Sequence, residues 1–418
     1  MAKLLVLADD MTGAVDTGVQ FAALGVSVFV SLRGESDGAF GRDAEVLVVN
    51  TCSRHLPPDA AYRLVRDISA NALRHGVRAL YKKTDSGLRG NIGAELQAVM
   101  DAAGGETIAF VPAYPKLRRT LRGGVLYVDG QPVTASVFGS DLFTPVRHDC
   151  VADIIAEQSS VPVTQGDAPS ARGAIWLLDA QTDADMIDAA RRVAAHKEIR
   201  VLAGCAGFAA FLPDLMGMRK RTAEPLRIHK RFIVVSGSVS EVSLTQLSYA
   251  RGKGYACFTP GGTALYQPDF LAADEGQRVL AGILQALSDG RNVLVDVAGS
   301  AARVMECIAS ASAMGLELEE ARARVARNLG ALASAVLRAD RRTTLGVFGG
   351  DTLQEVLLAL DCTGITPLCE IESGVVCSMC HTPTGDLPLI SKSGNFGDER
   401  LFDGLNRFLA EHGEEPSA

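Results

Sequence analysis

Short apolar runs alternate with helix-length stretches through the first third of this chain. Lys3–Ala8, Ser27–Ser31, Glu45–Asn50, Val77–Tyr81 and Thr107–Val111 read as strands. Between them, a helical pattern opens at Ala14 and closes at Gly25, a second follows Pro57-Pro58 over Asp59–His75, and a third covers Ile92–Ala103. Strands alternating with helices of this length build βαβ units around a parallel sheet. After Leu121 the pattern changes: Val125–Val128, Asp129-Gly130 and Gln131–Val133 carry the Asp-Gly signal of a hairpin. Alternation resumes at Ile175–Leu178 and Val201–Ala203.

The second half repeats the first half's logic. Arg231–Val235, Asn292–Val297, Thr344–Phe348 and Pro388–Ser391 read as strands, with helices over Glu241–Tyr249 and from Gly349 to Leu360. Met216 to Pro225 is polar and basic, lacks strand periodicity, and reads as a linker. At 418 residues the chain exceeds one ordinary core. The expected fold is therefore α/β in two domains, 1–222 and 223–418, each built on a largely parallel sheet with flanking helices.

The loops that end the strands carry the chemistry. Asp9-Asp10 follows the first strand, and adjacent carboxylates repel, so at least one needs a cationic partner. One of the two serves as an N-cap, which leaves the other unexplained. Lys82-Lys83-Thr84-Asp85-Ser86-Gly87-Leu88-Arg89-Gly90-Asn91 gathers ammonium, carboxylate, hydroxyl and guanidinium groups at another strand end. An isolated run of this kind is ordinarily a solvated turn. Here Asn50 to Arg54 and Pro112 to Thr120 add matching chemistry at neighbouring strand ends, where open α/β sheets bind ligands. Lysine and arginine suit an anionic substrate. In the second half, Ser236-Gly237-Ser238, Ala298-Gly299-Ser300, Gly349-Gly350-Asp351-Thr352 and Lys392-Ser393-Gly394 follow strands. Glycine lets a phosphate approach the backbone, and a helix N-terminus offers free N–H groups, so this set fits a polyphosphate.

Composition narrows the field. Apolar residues at 47% and charged residues at 22% describe a globular chain. A net charge of −8 argues against nucleic acid or an anionic membrane as partner, and Arg219-Lys220-Arg221 reads as solvated surface. No apolar run reaches spanning length and no signal core precedes the first strand, so the cytoplasm is the expected setting. The nine cysteines form no disulfide framework. Cys369, Cys377, Cys380 and His381 can be drawn as a zinc site, and Cys377/Cys380 as a redox pair. Without a second close pair they read as incidental thiols, and no metal-ligand set is assigned. There is no G-x-x-x-x-G-K-[ST], G-x-G-x-x-G, H-E-x-x-H or G-x-S-x-G, which disfavours a P-loop enzyme, a dehydrogenase and a serine hydrolase. An anion site joined to a polyphosphate cradle is the layout of a small-molecule kinase.

Leu7-Ala8-Asp9-Asp10-Met11-Thr12-Gly13-Ala14, Lys83 to Asn91, Val235-Ser236-Gly237-Ser238, Gly349-Gly350-Asp351-Thr352 and Lys392-Ser393-Gly394-Asn395-Phe396-Gly397 resemble the signatures of the four-carbon acid sugar kinases. The likeness runs in order along nearly the whole chain. It implies phosphorylation of threonate, erythronate or a 3-oxo-tetronate by ATP with Mg²⁺, an N-terminal domain for the acid and a C-terminal domain for the nucleotide. By position it implies that Asp9, Asp10, Asn50, Arg54, Lys83, Asp85 and Arg89 serve the substrate; Lys82 joins them as a further cation. It implies that Ser236, Ser238, Gly349, Gly350, Asp351, Thr352 and Gly394 serve the nucleotide. Asp16-Thr17-Gly18-Val19-Gln20 is similar to the threonate branch. Gly87 stands where the family motif carries Thr, and Leu117-Arg118 replaces a glycine before Arg119-Thr120; both departures bear on substrate identity.

The expected mechanism has Lys83 and Arg89 holding the carboxylate, and Asp10 or Asp85 accepting the proton of the terminal (C4) hydroxyl. Asp351 would assist Mg²⁺. The partners expected are a four-carbon sugar acid and ATP, with a homodimer allowed. The alternatives are a 3-oxo-tetronate kinase and a non-catalytic sensor of sugar acid and nucleotide.

Overall fold

The computed structural model describes residues 2–32, 43–141, 143–169, 172–219, 226, 228–261, 263–394 and 396–414. Residues 220–225 of the expected linker, with Lys220 and Arg221 of its basic run, lie outside the described residues, as does Asn395 of the last motif. The chain divides into two units, Met1–Thr222 and Ala223–Ala418.

In the first unit, β1 (Leu4–Ala8) leads into α1 (Met11–Ala22), then β2 (Val28–Ser31) and β3 (Val46–Asn50). α2 (Pro58–Arg74), β4 (Ala79–Lys83), α3 (Ile92–Ala102) and β5 (Ile108–Val111) follow. β6 (Arg119–Arg122), β7 (Val125–Val128) and β8 (Gln131–Pro132) form a small antiparallel sheet. Asp129 and Gly130 both adopt positive φ, 51° and 81°, as the Asp-Gly hairpin signal requires. β9 (Val163–Thr164), β10 (Ile175–Leu177) and β11 (Val201–Gly204) complete the main sheet, ordered β2-β3-β1-β4-β11-β5-β10-β9 and parallel throughout. From β1 the chain steps out to β2, returns to β3, and crosses to β4 on the other flank of β1. The winding reverses at β1, which opens a crevice at its carboxyl end.

The second unit repeats that winding. Its strands are β12 (Ile228–His229), β13 (Phe232–Ser236), β14 (Ala256–Phe258), β15 (Val293–Asp296), β16 (Thr344–Phe348), β17 (Gly364–Glu372), β18 (Val375–Thr382), β19 (Gly385–Lys392) and β20 (Gly413–Glu414). The order β14-β15-β13-β16-β19-β18-β17 places β13 where β1 stands in the first unit. β14, β15, β13, β16 and β19 run parallel, while β17, β18 and β19 are an antiparallel meander. β12 and β20 pair as a separate ribbon. Among its helices are α4 (Glu241–Arg251) after β13, α5 (Leu318–Ala339), α6 (Gly350–Ala359) after β16 and α7 (Leu401–His412). Phe232, Val234, Leu247, Phe348, Ile390, Phe402 and Leu405 lie in one buried apolar cluster of this unit. Each such side chain, fully buried, contributes roughly 1.5–3 kcal/mol to the unit's cohesion.

The structure corrects the sequence reading in three places. Lys82 and Lys83 belong to β4, not to the loop after it, and both are buried. The strand expected over Pro388–Ser391 is the last part of the longer β19, reached through a meander whose other two strands were not expected. Cys377 and Cys380 do not pair with each other: Cys377 lies opposite Cys369 across β17 and β18, and the Cys380 Sγ donates to the Cys362 Sγ at 2.7 Å. No group of three or more potential metal ligands occurs among the described residues. No helix among them is long and apolar enough to cross a membrane.

Candidate active site

Three carboxylates and two guanidiniums meet at the carboxyl ends of β1, β3 and β4. Arg54, in the loop after β3, grips Asp9 through two hydrogen bonds, Nε to Oδ2 at 2.7 Å and Nη2 to Oδ1 at 3.0 Å. Its Nη1 lies 2.6 Å from Asp10 Oδ2, and its Nη2 lies 3.6 Å from Asp85 Oδ1. One arginine thus answers the repulsion between Asp9 and Asp10. Asp10 caps α1, accepting from the Gly13 N–H at 2.8 Å and from the Thr12 hydroxyl at 3.1 Å. A Cβ at Gly13 would overlap Asp10 and come within 3.1 Å of Lys83 Nζ, so glycine is what lets that ammonium reach the helix end.

Asp85 is the most heavily bound of the three. Its Oδ2 accepts from the backbone N–H groups of Gly87 and Arg89 (3.0 and 3.3 Å) and from Arg89 Nε (3.0 Å), and its Oδ1 accepts from Arg89 Nη2 at 2.9 Å. Burial works to raise its pKa, but Arg89 and Arg54 outweigh that and hold the carboxyl far below the usual carboxylate range. Burial likewise opposes ionisation of Asp9, and Arg54, with Lys82 and Lys83, keeps it below its ordinary value. Asp10 is the most accessible, with its side chain 23% exposed against 2% for Asp9.

Beneath this cluster lies a buried polar chain. Thr51 donates to the Ala8 carbonyl at 2.9 Å, and its Oγ1 lies 2.6 Å from the Ser53 hydroxyl, which is in turn in hydrogen-bond contact with Glu95 of α3. Glu95 pairs with Lys82 at 2.9 Å, and Lys82 Nζ also donates to the carbonyls of Leu7 (3.1 Å) and Lys83 (2.7 Å). All three ammonium protons of Lys82 are therefore spent inside the protein, and the structure does not bring this residue to the cleft as the sequence reading expected. Burial raises the Glu95 carboxyl above its usual range, with Lys82 offsetting part of the effect. Lys83, one position on, points the other way along the pleat; its Nζ donates to the Thr84 carbonyl at 2.8 Å and stays beside Asp9 and Asp85. Asn50 is buried and accepts from the Cys52 N–H at 3.1 Å, shaping the turn into Arg54.

Two residues of this site, Asp141 and Phe138, escape notice in the sequence, and a third, Arg119, is legible there only as part of the Pro112 to Thr120 loop. Asp141 accepts from Arg89 Nη1 at 2.9 Å. Phe138 lies under both Arg89 and Arg119, whose guanidinium carbons are 5.0 and 5.6 Å from its ring centroid. A Cβ on Gly87 would overlap that ring, so Phe138 accounts for the glycine at this position of the motif. Arg119 Nε is buried without a hydrogen-bond partner among the described residues, and burial lowers the pKa of this guanidinium. Its open donor, across the Phe138 ring from Arg89, is a tertiary feature that the sequence does not carry.

In the second unit, the expected nucleotide residues gather around the reversal point at β13. Ser236 ends β13 fully buried, its hydroxyl without a partner among the described residues. A Cβ at Gly237 would overlap the Thr352 hydroxyl, and one at Gly394 would lie 2.9 Å from Ser238 Oγ. Gly349 adopts a φ of 109°, open to glycine, and precedes α6, which carries no side-chain cap. The first-turn N–H groups of α6, from Gly350 to Thr352, therefore keep their capacity for an anion. Ser240 caps α4 and donates to the Gly394 carbonyl at 2.7 Å, tying the last glycine loop to this edge. Asp351, in the first turn of α6, is exposed and paired with Arg322 at 3.3 Å.

Two family models match this chain in succession. Residues 4–212 match the model of a sugar-binding N-terminal domain, and residues 233–402 that of a nucleotide-binding C-terminal domain. A Salmonella typhimurium protein named D-threonate kinase is 30% identical over 96% of this chain and 97% of its own length. A Heliobacterium modesticaldum protein named D-erythronate kinase is 30% identical over 87% of each chain. A crystal structure of a Haemophilus influenzae protein shares the fold, with a TM-score of 0.71 at 21% identity over 97% of this chain and 99% of that one. With both models matched in order and such relatives aligned along nearly its whole length, the chain belongs to the four-carbon acid sugar kinase family.

Proposed function

We propose that this protein is an ATP-dependent kinase of a four-carbon sugar acid, D-threonate or D-erythronate, acting on the terminal hydroxyl. The observation that carries the reading is the cluster of Asp9, Asp10, Asp85, Arg54, Arg89 and Lys83 at the reversal point of the first sheet, together with the names of the relatives. Residues 1–222 take the acid and 223–418 the nucleotide. The substrate carboxylate docks on Lys83, the open Nε of Arg119 and the N–H groups that Arg89 does not commit to Asp85 and Asp141. This amends the expected pair of Lys83 and Arg89 by adding Arg119.

Asp10 is the base. Asp85 has its acceptor capacity filled by four hydrogen bonds, and Asp9 is held by Arg54 on both oxygens, so these two fix the guanidiniums in place. Asp10 keeps lone pairs on an exposed side and orients the attacking hydroxyl; phosphoryl transfer asks for orientation more than for full deprotonation. The nucleotide phosphates fit the edge formed by Ser236, Ser238, Gly349 to Thr352 and Gly394, where Cβ atoms are excluded and helix N–H groups are open. When bound with the nucleotide, Mg²⁺ would supply charge neutralisation on the phosphates.

The test is ADP release by the full chain with Mg-ATP against D- and L-threonate, D- and L-erythronate and their 3-oxo forms. A preference for a D-tetronate supports the reading. A preference for a 3-oxo acid replaces the substrate, and nucleotide binding without ADP release on any acid favours a sensor.

A further inference from the structure

Lys392 is the last residue of β19, and it is fully buried. Its ammonium donates to Ser243 Oγ at 3.1 Å and to the carbonyls of Ser393 and Gly394, both at 3.0 Å, and it lies 5.2 Å from the centroid of the Phe348 ring. The elements packed against it bring no charge: β16 contributes Phe348, β18 contributes Val375, its cross-strand partner, and α4 contributes Ser243. Among the described residues no carboxylate compensates it, and burial alone accounts for its electrostatic environment.

A buried cation without a counter-charge is costly, and proteins retain one where a bound anion completes it. The Gly394 carbonyl that Lys392 holds also accepts from Ser240 Oγ (2.7 Å) and Ser243 Oγ (2.9 Å), so a single carbonyl gathers β19, the glycine loop and the N-terminus of α4. We propose that Lys392 is a positioning residue of the nucleotide site: it locks the Ser393-Gly394 loop onto α4, and its uncompensated charge is completed by the nucleotide's phosphates. It does so from behind the loop, because its three protons are already committed. The proposal rests on the reading that residues 223–418 bind a nucleotide.

Burial lowers the Lys392 pKa to about 7, so the free protein holds this group part-neutral near neutrality. Phosphate favours the charged form, so binding draws in a proton. Affinity is then full below pH 7 and falls as pH rises above it, by up to about tenfold per pH unit. Asp351, also at this edge, is paired with Arg322 at 3.3 Å.

Isothermal titration calorimetry of Mg-ADP binding to the unmodified full chain, in two buffers of different ionisation enthalpy, reads the proton directly. At pH 7.5 the expected uptake is roughly half a proton or more, with Kd rising from pH 7 to pH 9. In Lys392→Met the uptake vanishes, the pH profile flattens and Kd at pH 7 rises at least about tenfold, one pKa unit's worth of coupling. Binding by the unmodified chain with no proton uptake and a flat profile overturns the role of Lys392 and leaves the nucleotide site standing. No binding at all overturns the nucleotide reading and this proposal with it. The decisive readings come from the unmodified protein, so a poorly folded variant does not blunt the test.

Discussion

Replacing Lys82 by methionine keeps the length and apolar stem of the side chain and removes its charge and its three donors. In the structure those donors serve the carbonyls of Leu7 and Lys83 and the carboxylate of Glu95, with no solvent exposure on either side of the ion pair. Breaking a buried pair by deleting one partner costs about 3–5 kcal/mol, because the other charge stays behind. For a unit of this size each kcal/mol moves the midpoint by about 2–4 °C, so Lys82→Met should lower Tm by about 6–20 °C. Glu95 adds a sign to test. Its carboxyl already sits above the usual range, and losing Lys82 raises it further. A group whose folded pKa is raised contributes stability that is present below its unfolded pKa and is lost as pH rises through the folded one. The deficit of Lys82→Met should therefore be smaller at pH 5 than at pH 8. Replacing both partners, Lys82→Met with Glu95→Leu, should recover most of the loss. The assay is thermal unfolding followed by circular dichroism, alongside the acid KM. A Tm within about 2 °C of the unmodified protein, with an acid KM raised many-fold, would refute this reasoning and return Lys82 to the substrate.

Two further predictions follow from the cleft. Asp10→Asn should lower kcat by about 10²–10⁴-fold while the nucleotide Kd changes by less than about twofold, and equal losses in both would remove Asp10 from its role as base. Gly87→Ala should push on the Phe138 ring and destabilise by about 1–3 kcal/mol, with Phe138→Ala in the same chain recovering stability; calorimetric unfolding of the three variants decides whether that ring is the reason for the glycine.

The strand ends were the legible part of this protein. Apolar runs closing on Asp9-Asp10, on Asn50 to Arg54 and on Lys82 to Asn91 announce a parallel sheet with its chemistry at one edge, and the ion pairs of Arg54 join those loops. What stayed hidden depends on partners distant in sequence. Nothing local separates Lys82 from Lys83; the pleat sends one towards Glu95 of α3 and the other towards the carboxylates. Phe138 and Asp141 arrive from beyond the β6–β8 hairpin, with no periodicity to mark them. The β17–β18 hairpin has one local signal, the turn at Ser373-Gly374 where Gly374 takes a φ of 72°.

The central claim is that the cleft transfers phosphate to a terminal hydroxyl of a four-carbon acid. Proton-coupled ³¹P NMR of the products from Mg-ATP with D-threonate and with D-erythronate tests it most directly. A new phosphomonoester resonance split into a triplet, by two protons on the attached carbon, is the result this account predicts. A doublet would move the ester to an inner carbon, and ADP with inorganic phosphate alone would contradict transfer to the acid altogether.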